Sequence, residues 1–128
     1  MQSLSFIRLK DKTTNREFVV ATDIITYVME NTSDKDDMTC QVHYAKPNSE
    51  IDYVTDSIEN IANSLHENDE LALWLTHPTG RLMLVNPEHI MRVELGCKDT
   101  EIYFITLSDG TELPVQENLN EIFDSATN

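Results

Sequence analysis

With 128 residues, 40% hydrophobic and 25% charged, the chain has the composition of one ordinary globular domain or two very small ones, not of a disordered segment. Nine Lys and Arg stand against 23 Asp and Glu, a net charge of -14, divided as -5 over residues 1–66 and -9 over residues 67–128. Such a surface repels phosphate backbones, which excludes nucleic acid from the expected partners, and no stretch nears the roughly 18 apolar residues of a membrane helix.

The first strand is expected at Leu4–Leu9, followed by a polar turn, Lys12-Thr13-Thr14-Asn15. Phe18-Val19-Val20 reads as a short second strand and Ala21-Thr22-Asp23 as a break. A third strand, Ile24–Glu30, places Ile25, Tyr27 and Met29 on one face. After a polar loop, Asn31–Asp37, a fourth strand runs over Met38–Tyr44, then a turn at Lys46-Pro47-Asn48-Ser49. A short fifth strand at Asp52-Tyr53-Val54 leads into a helix over residues 56–65. There Ile58, Ile61, Ala62 and Leu65 recur at helical spacing, and Asp56 with Glu59 forms a cap pair.

The same order then recurs. The polar segment His66–Glu70 is read as the linker. Leu71, Leu73 and Leu75 alternate along a strand, His77-Pro78-Thr79-Gly80 is a turn, and Leu82–Val85 is a second strand. Asn86-Pro87-Glu88 breaks the chain, since Pro87 cannot donate to a ladder. Next come His89–Leu95, with Met91, Val93 and Leu95 on one face, a loop over Gly96–Thr100, and a strand over Glu101–Leu107. Asp109-Gly110 signals a tight hairpin with positive φ at both central positions. Leu113-Pro114-Val115 and a helix from Asn118 to Phe123 close the copy, with Asn118 and Glu121 as its cap pair. Anchors at Ile24/Ile90 and Ile58/Leu119 lie 66 and 61 residues apart. The predicted fold is α+β, mainly antiparallel β. It comprises two tandem strand-rich repeats, 1–66 and 67–128, each ending in a short helix and together forming one compact pseudo-symmetric unit.

Residues 71–123 resemble the small flagellar proteins of the FlbD (SwrD) type. The resemblance rests on Leu75-Thr76, Gly80, Val85-Asn86, Ile90, Val93-Glu94, Asp99-Thr100, Ile105-Thr106-Leu107, Asp109-Gly110 and Val115 with Glu117. It implies this order of strands and turns and a flagellar or regulatory role. It carries over no site residue, and this chain departs from that family in being longer, doubled and more acidic.

The chemistry-bearing residues are sparse. His43, His66, His77 and His89, with Cys40 and Cys97, form none of the usual metal spacings, so neither a metal nor another cofactor is expected. Gly occurs only at 80, 96 and 110, which leaves no nucleophile elbow and no phosphate loop. Asp34, Asp36 and Asp37 read as a solvated loop, Cys40 as a small buried thiol on a strand face with Met38, Val42 and Tyr44. No enzymatic activity is expected.

The function expected from these features is that of a non-catalytic interaction, adaptor or regulatory protein acting through an oligomeric β-surface in the cytoplasm. The strand carrying Tyr103, Ile105 and Leu107 on one side and Ile102 and Phe104 on the other reads first as core in a covered sheet and otherwise as half of such a surface. The partners expected are a second copy of the chain and a basic protein, with no membrane and no nucleic acid. The alternatives are an acidic DNA-mimic inhibitor, or a small-molecule binding module with a pocket between the repeats. The residues proposed to line that pocket are Trp74, Tyr27, Tyr103 and Arg92.

Overall fold

The computed structural model describes residues 5–45, 50–96 and 101–127. Leu4, the turn at 46–49 and most of the 96–100 loop, including Cys97, therefore lie outside the described residues. Among the described residues, ten strands and two α-helices follow one another. They are β1 (Phe6–Lys10), β2 (Glu17–Ala21), β3 (Ile25–Glu30), β4 (Cys40–Tyr44), β5 (Asp52–Val54) and α1 (Ile58–Glu67); then β6 (Leu73–Thr76), β7 (Leu82–Val85), β8 (Ile90–Leu95), β9 (Tyr103–Leu107), β10 (Glu112–Val115) and α2 (Leu119–Thr127). The breaks expected before β3 and β8 are single 3-10 turns, Thr22–Ile24 and Pro87–His89. The fold is α+β, with every described strand pair antiparallel.

A five-stranded sheet, ordered β5-β4-β3-β7-β6, takes strands from both halves of the chain, so the halves share a sheet through β3 and β7. Both of its faces are covered. On one, Val28, Val42 and Leu84 meet Ile7, Leu9 and Val20 of the two-stranded β1–β2 ribbon and Ile58, Ile61 and Leu65 of α1. On the other, Met29, Leu75, Met83 and Val85 meet Ile105, Leu107, Leu113 and Val115 of the three-stranded β10-β9-β8 sheet, and Ile122 of α2. The buried residues of β3 therefore run without interruption from Ile25 to Met29, as a strand covered on both faces must.

The expected single face of Ile25, Tyr27 and Met29 is not what forms. The β3–β4 register shifts between Ile25 and Tyr27, so Ile25 joins the core with α1 while Tyr27 and Met29 join the opposite one. A bulge inserts one unpaired residue and reverses the alternation beyond it. An equivalent shift between Ile90 and Arg92 turns Met91 outward, 69% exposed, while Ile90 and Val93 pack inward. The starts of β2 and β7, of the two 3-10 turns, and of β3 and β8 are each 65 residues apart.

The β6–β7 and β9–β10 hairpins use one turn. Gly80 N–H donates to His77 O at 2.8 Å and Gly110 N–H to Leu107 O at 2.9 Å, with φ of +94° and +91°. Only the glycine of each turn is left-handed, so Asp109-Gly110 is the end of a three-residue loop and not a turn with two positive φ values. Asn15, at φ +61°, serves the β1–β2 turn in the same way.

The first helix is capped by Ser57, whose Oγ accepts from Asn60 N–H at 3.2 Å, and not by the expected Asp56–Glu59 pair. Asp56 instead accepts from Lys10 N–H at 2.8 Å. In the second half, Glu117 accepts from Thr76 N–H and from Thr76 Oγ1, both at 2.9 Å, while Asn118 and Glu121 form the expected reciprocal cap. The linker segment is held in place as well, because Glu70 accepts hydrogen bonds from Ser5 and Thr22.

Candidate functional site

The four residues selected from the sequence do not converge. Tyr27 is buried on the β9–β10 side of the central sheet, and Tyr103 packs partly buried against the same core. Trp74 pairs across strands with Leu84, which belongs to the opposite core, so it lies on the other face of that sheet and is 45% exposed. Arg92 stands on β8 with its guanidinium 3.2 Å from Glu94, an exposed pair.

Tyr27 has a different neighbour. It stacks on His43, its cross-strand partner, with ring centroids 4.0 Å apart and 11° between planes. The pair borders a small cavity of about 150 Å³ beside Thr111, Asp109 and Glu50. Burial pushes the Tyr27 hydroxyl up to about 12 and, against the opposing charge of Asp109, the His43 imidazole down to about 4. At neutral pH both rings are uncharged, which suits packing. Tyr44 donates to Asp52 at 2.5 Å, and burial raises its pKa further. Cys40 is fully buried, its thiol raised to about 12 chiefly by desolvation.

Charge gives the more informative map. Residues 8–16 hold Arg8, Lys10, Lys12 and Arg16, four of the nine cations of the chain, against the single acid Asp11. Arg8 and Lys10 lie on β1, and Lys12 and Arg16 in the turn that leads to β2, where residues 12–16 are all exposed. The Asp11 carboxylate is turned into the turn itself, accepting from Thr13 N–H, Thr14 N–H and Thr14 Oγ1, and these bonds hold its pKa below the usual range. Arg8 pairs loosely with Glu17 at 3.6 Å. Among the described residues, Lys12 and Arg16 have no ion-pair partner within 4.0 Å. Counting charge over half-chains hides this cluster; a nine-residue window reveals it.

No family model matches the sequence, and comparison with curated proteins gives no match. Among solved structures, the chain is similar to one described as the LytTr DNA-binding domain of a methyl-accepting/DNA response regulator from Bacillus cereus. The TM-score is 0.61 at 16% identity, over 96% of each chain. This likeness establishes a shared fold.

It also overturns two expectations: the adaptor acting through an oligomeric β-surface, with its small-molecule and DNA-mimic alternatives, and the list of partners that left out nucleic acid. The physical error was to let a net charge of -14 stand for every part of the surface. Net charge governs solubility and long-range association, while docking depends on the local field at one edge.

Proposed function

We propose that this chain is a DNA-binding regulatory module. The observation that carries the reading is the extent of the structural likeness: it spans 96% of both chains, so both halves, all three sheets and both helices are compared with a whole DNA-binding domain rather than a shared hairpin. The charge then sets the terms of binding. A protein at -14 gains little from non-specific attraction to phosphate, which normally supplies most of the weak background affinity. Recognition by this chain therefore rests on a small locally cationic edge and on direct contacts, giving a low background and a high ratio of specific to non-specific binding.

No catalytic step belongs to this reading, and it places the protein in the cytoplasm with reduced thiols. It includes a duplicated origin for the two halves. What supports duplication is the pair of carboxylates at corresponding places: Asp56 and Glu117 each precede a helix cap and each accept the backbone N–H at the end of the first strand of their half. The flagellar resemblance of residues 71–123 enters only as a shared order of turns.

The test is selection of duplexes from a random DNA library by the full chain at about 50 mM salt, followed by fluorescence anisotropy on the enriched sequences. Enrichment of one motif, bound at least a hundredfold more tightly than scrambled duplex, supports the reading. No enrichment, with anisotropy on every duplex equal to that of an acidic control protein, overturns it.

A further inference from the structure

Resting on that reading, we infer that the β1–β2 turn is the edge that enters the DNA, a two-stranded ribbon inserted tip-first into the major groove. Three observations converge on it. First, residues 8–16 are the one locally cationic segment among the described residues, with four cations against one acid, Asp11, whose exposed carboxylate is hydrogen-bonded within the turn. Arg81 and Arg92, by contrast, lie singly in the second half, and Arg92 is held by Glu94.

Second, the geometry fits. The major groove, about 12 Å wide, admits a two-stranded ribbon whose strands lie about 4.8 Å apart. The inner side of this ribbon, Ile7, Leu9 and Val20, is committed to the core, which leaves the tip to enter end-on. The base of the turn is braced: Lys12 N–H donates to Tyr53 O at 2.8 Å, and Asp11 bridges to Val54 at the edge of the central sheet.

Third, the chemistry of the tip matches the task. Lys12 and Arg16 flank Thr13, Thr14 and Asn15, all exposed. Cations contact phosphates or guanine edges, and an Asn amide pairs with the adenine edge. Thr14 is occupied within the turn, accepting from Arg16 N–H and donating to Asp11, so Thr13 and Asn15 are the polar side chains that face outward from the tip. Asp37, whose carboxyl is held low chiefly by its hydrogen bonds from Thr39, also feels the charge of Lys12.

The experiment uses the full chain and the duplex enriched by selection, read by anisotropy at several salt concentrations. K12A/R16A is expected to lose at least tenfold in affinity at about 100 mM salt and to flatten the slope of log affinity against log salt by about 2. Asn15→Gly keeps the left-handed backbone and removes the amide; it is expected to relax sequence preference at one base pair while leaving the salt slope unchanged. Lys35→Ala, a cation on the β3–β4 loop beside Glu30, is the control and should change neither. Wild-type affinity and slope in K12A/R16A overturns the inference and leaves DNA binding standing. Failure of the wild-type chain to bind any duplex removes the functional reading itself.

Discussion

At the scale of single residues, His43 joins packing to pH. Its ring lies flat on Tyr27, and Nε2 is 3.0 Å from Gln41 Oε1. Burial holds the folded-state pKa near 4, below the ordinary 6.5, with Asp109 opposing. Between those two values the unfolded chain binds the proton and the folded chain does not. Stability from this group is thus complete above about pH 6.5 and drains away as pH falls toward 4. A fully withdrawn group would lose about 1.4 kcal/mol per pH unit, and His43 less, because its ring keeps some solvent contact. His43→Phe retains the stack and removes the titration. Urea denaturation from pH 7.5 to 5 should show a steeper loss in the wild type than in H43F below 6.5, and parallel behaviour above it. Equal slopes throughout would mean that the imidazole is protonated in place.

At the scale of elements, the two carboxylates that tie a strand end to a helix start carry a graded prediction. Asp56 accepts one backbone N–H of Lys10, whereas Glu117 accepts both the N–H and the hydroxyl of Thr76. Hydrogen bonds to charged groups contribute about 1.5–3 kcal/mol when one partner is removed. Glu117→Ala is expected to cost about 2–3 kcal/mol and Asp56→Ala about 1–2 kcal/mol, by chemical denaturation at pH 7. A larger cost for D56A would contradict the count of bonds. These ties were invisible in the sequence because each joins residues 41 or 46 apart, and Asp56 looked like a helix cap until Ser57 was seen to fill that role. The hairpin turns and the buried face of α1 were legible because Gly80, Gly110 and the spacing of Ile58, Ile61 and Leu65 act locally, whereas Leu119 and Phe123 of α2 are exposed. The bulges at Ile25 and Ile90 were not, since a bulge exists only relative to the partner strand. That is why Tyr27, Trp74, Tyr103 and Arg92, chosen for size and charge, fall on different surfaces: alternation gives a face but not the layer that covers it.

At the scale of the whole molecule, the acidity that misled the partner assignment has a thermodynamic consequence of its own. Fourteen uncompensated negative charges on 128 residues repel one another most strongly in the compact state. Added salt shortens the Debye length from about 30 Å at 0.01 M to about 8 Å at 0.15 M, and relieves that repulsion in the folded chain more than in the expanded one. The melting temperature of the free protein should therefore rise by a few degrees between about 10 and 300 mM NaCl, and most of the rise should occur below 150 mM. Over the same range, the proposed binding to DNA should weaken, because contacts made by Lys12 and Arg16 would release counterions as they form. Salt thus acts with opposite signs on fold and on complex, and the two terms come from different parts of the surface. K12A/R16A makes the net charge more negative, so it should steepen the salt dependence of melting while flattening that of binding. A melting temperature that is flat or falling with NaCl would show that the acids are already spread widely enough to ignore one another.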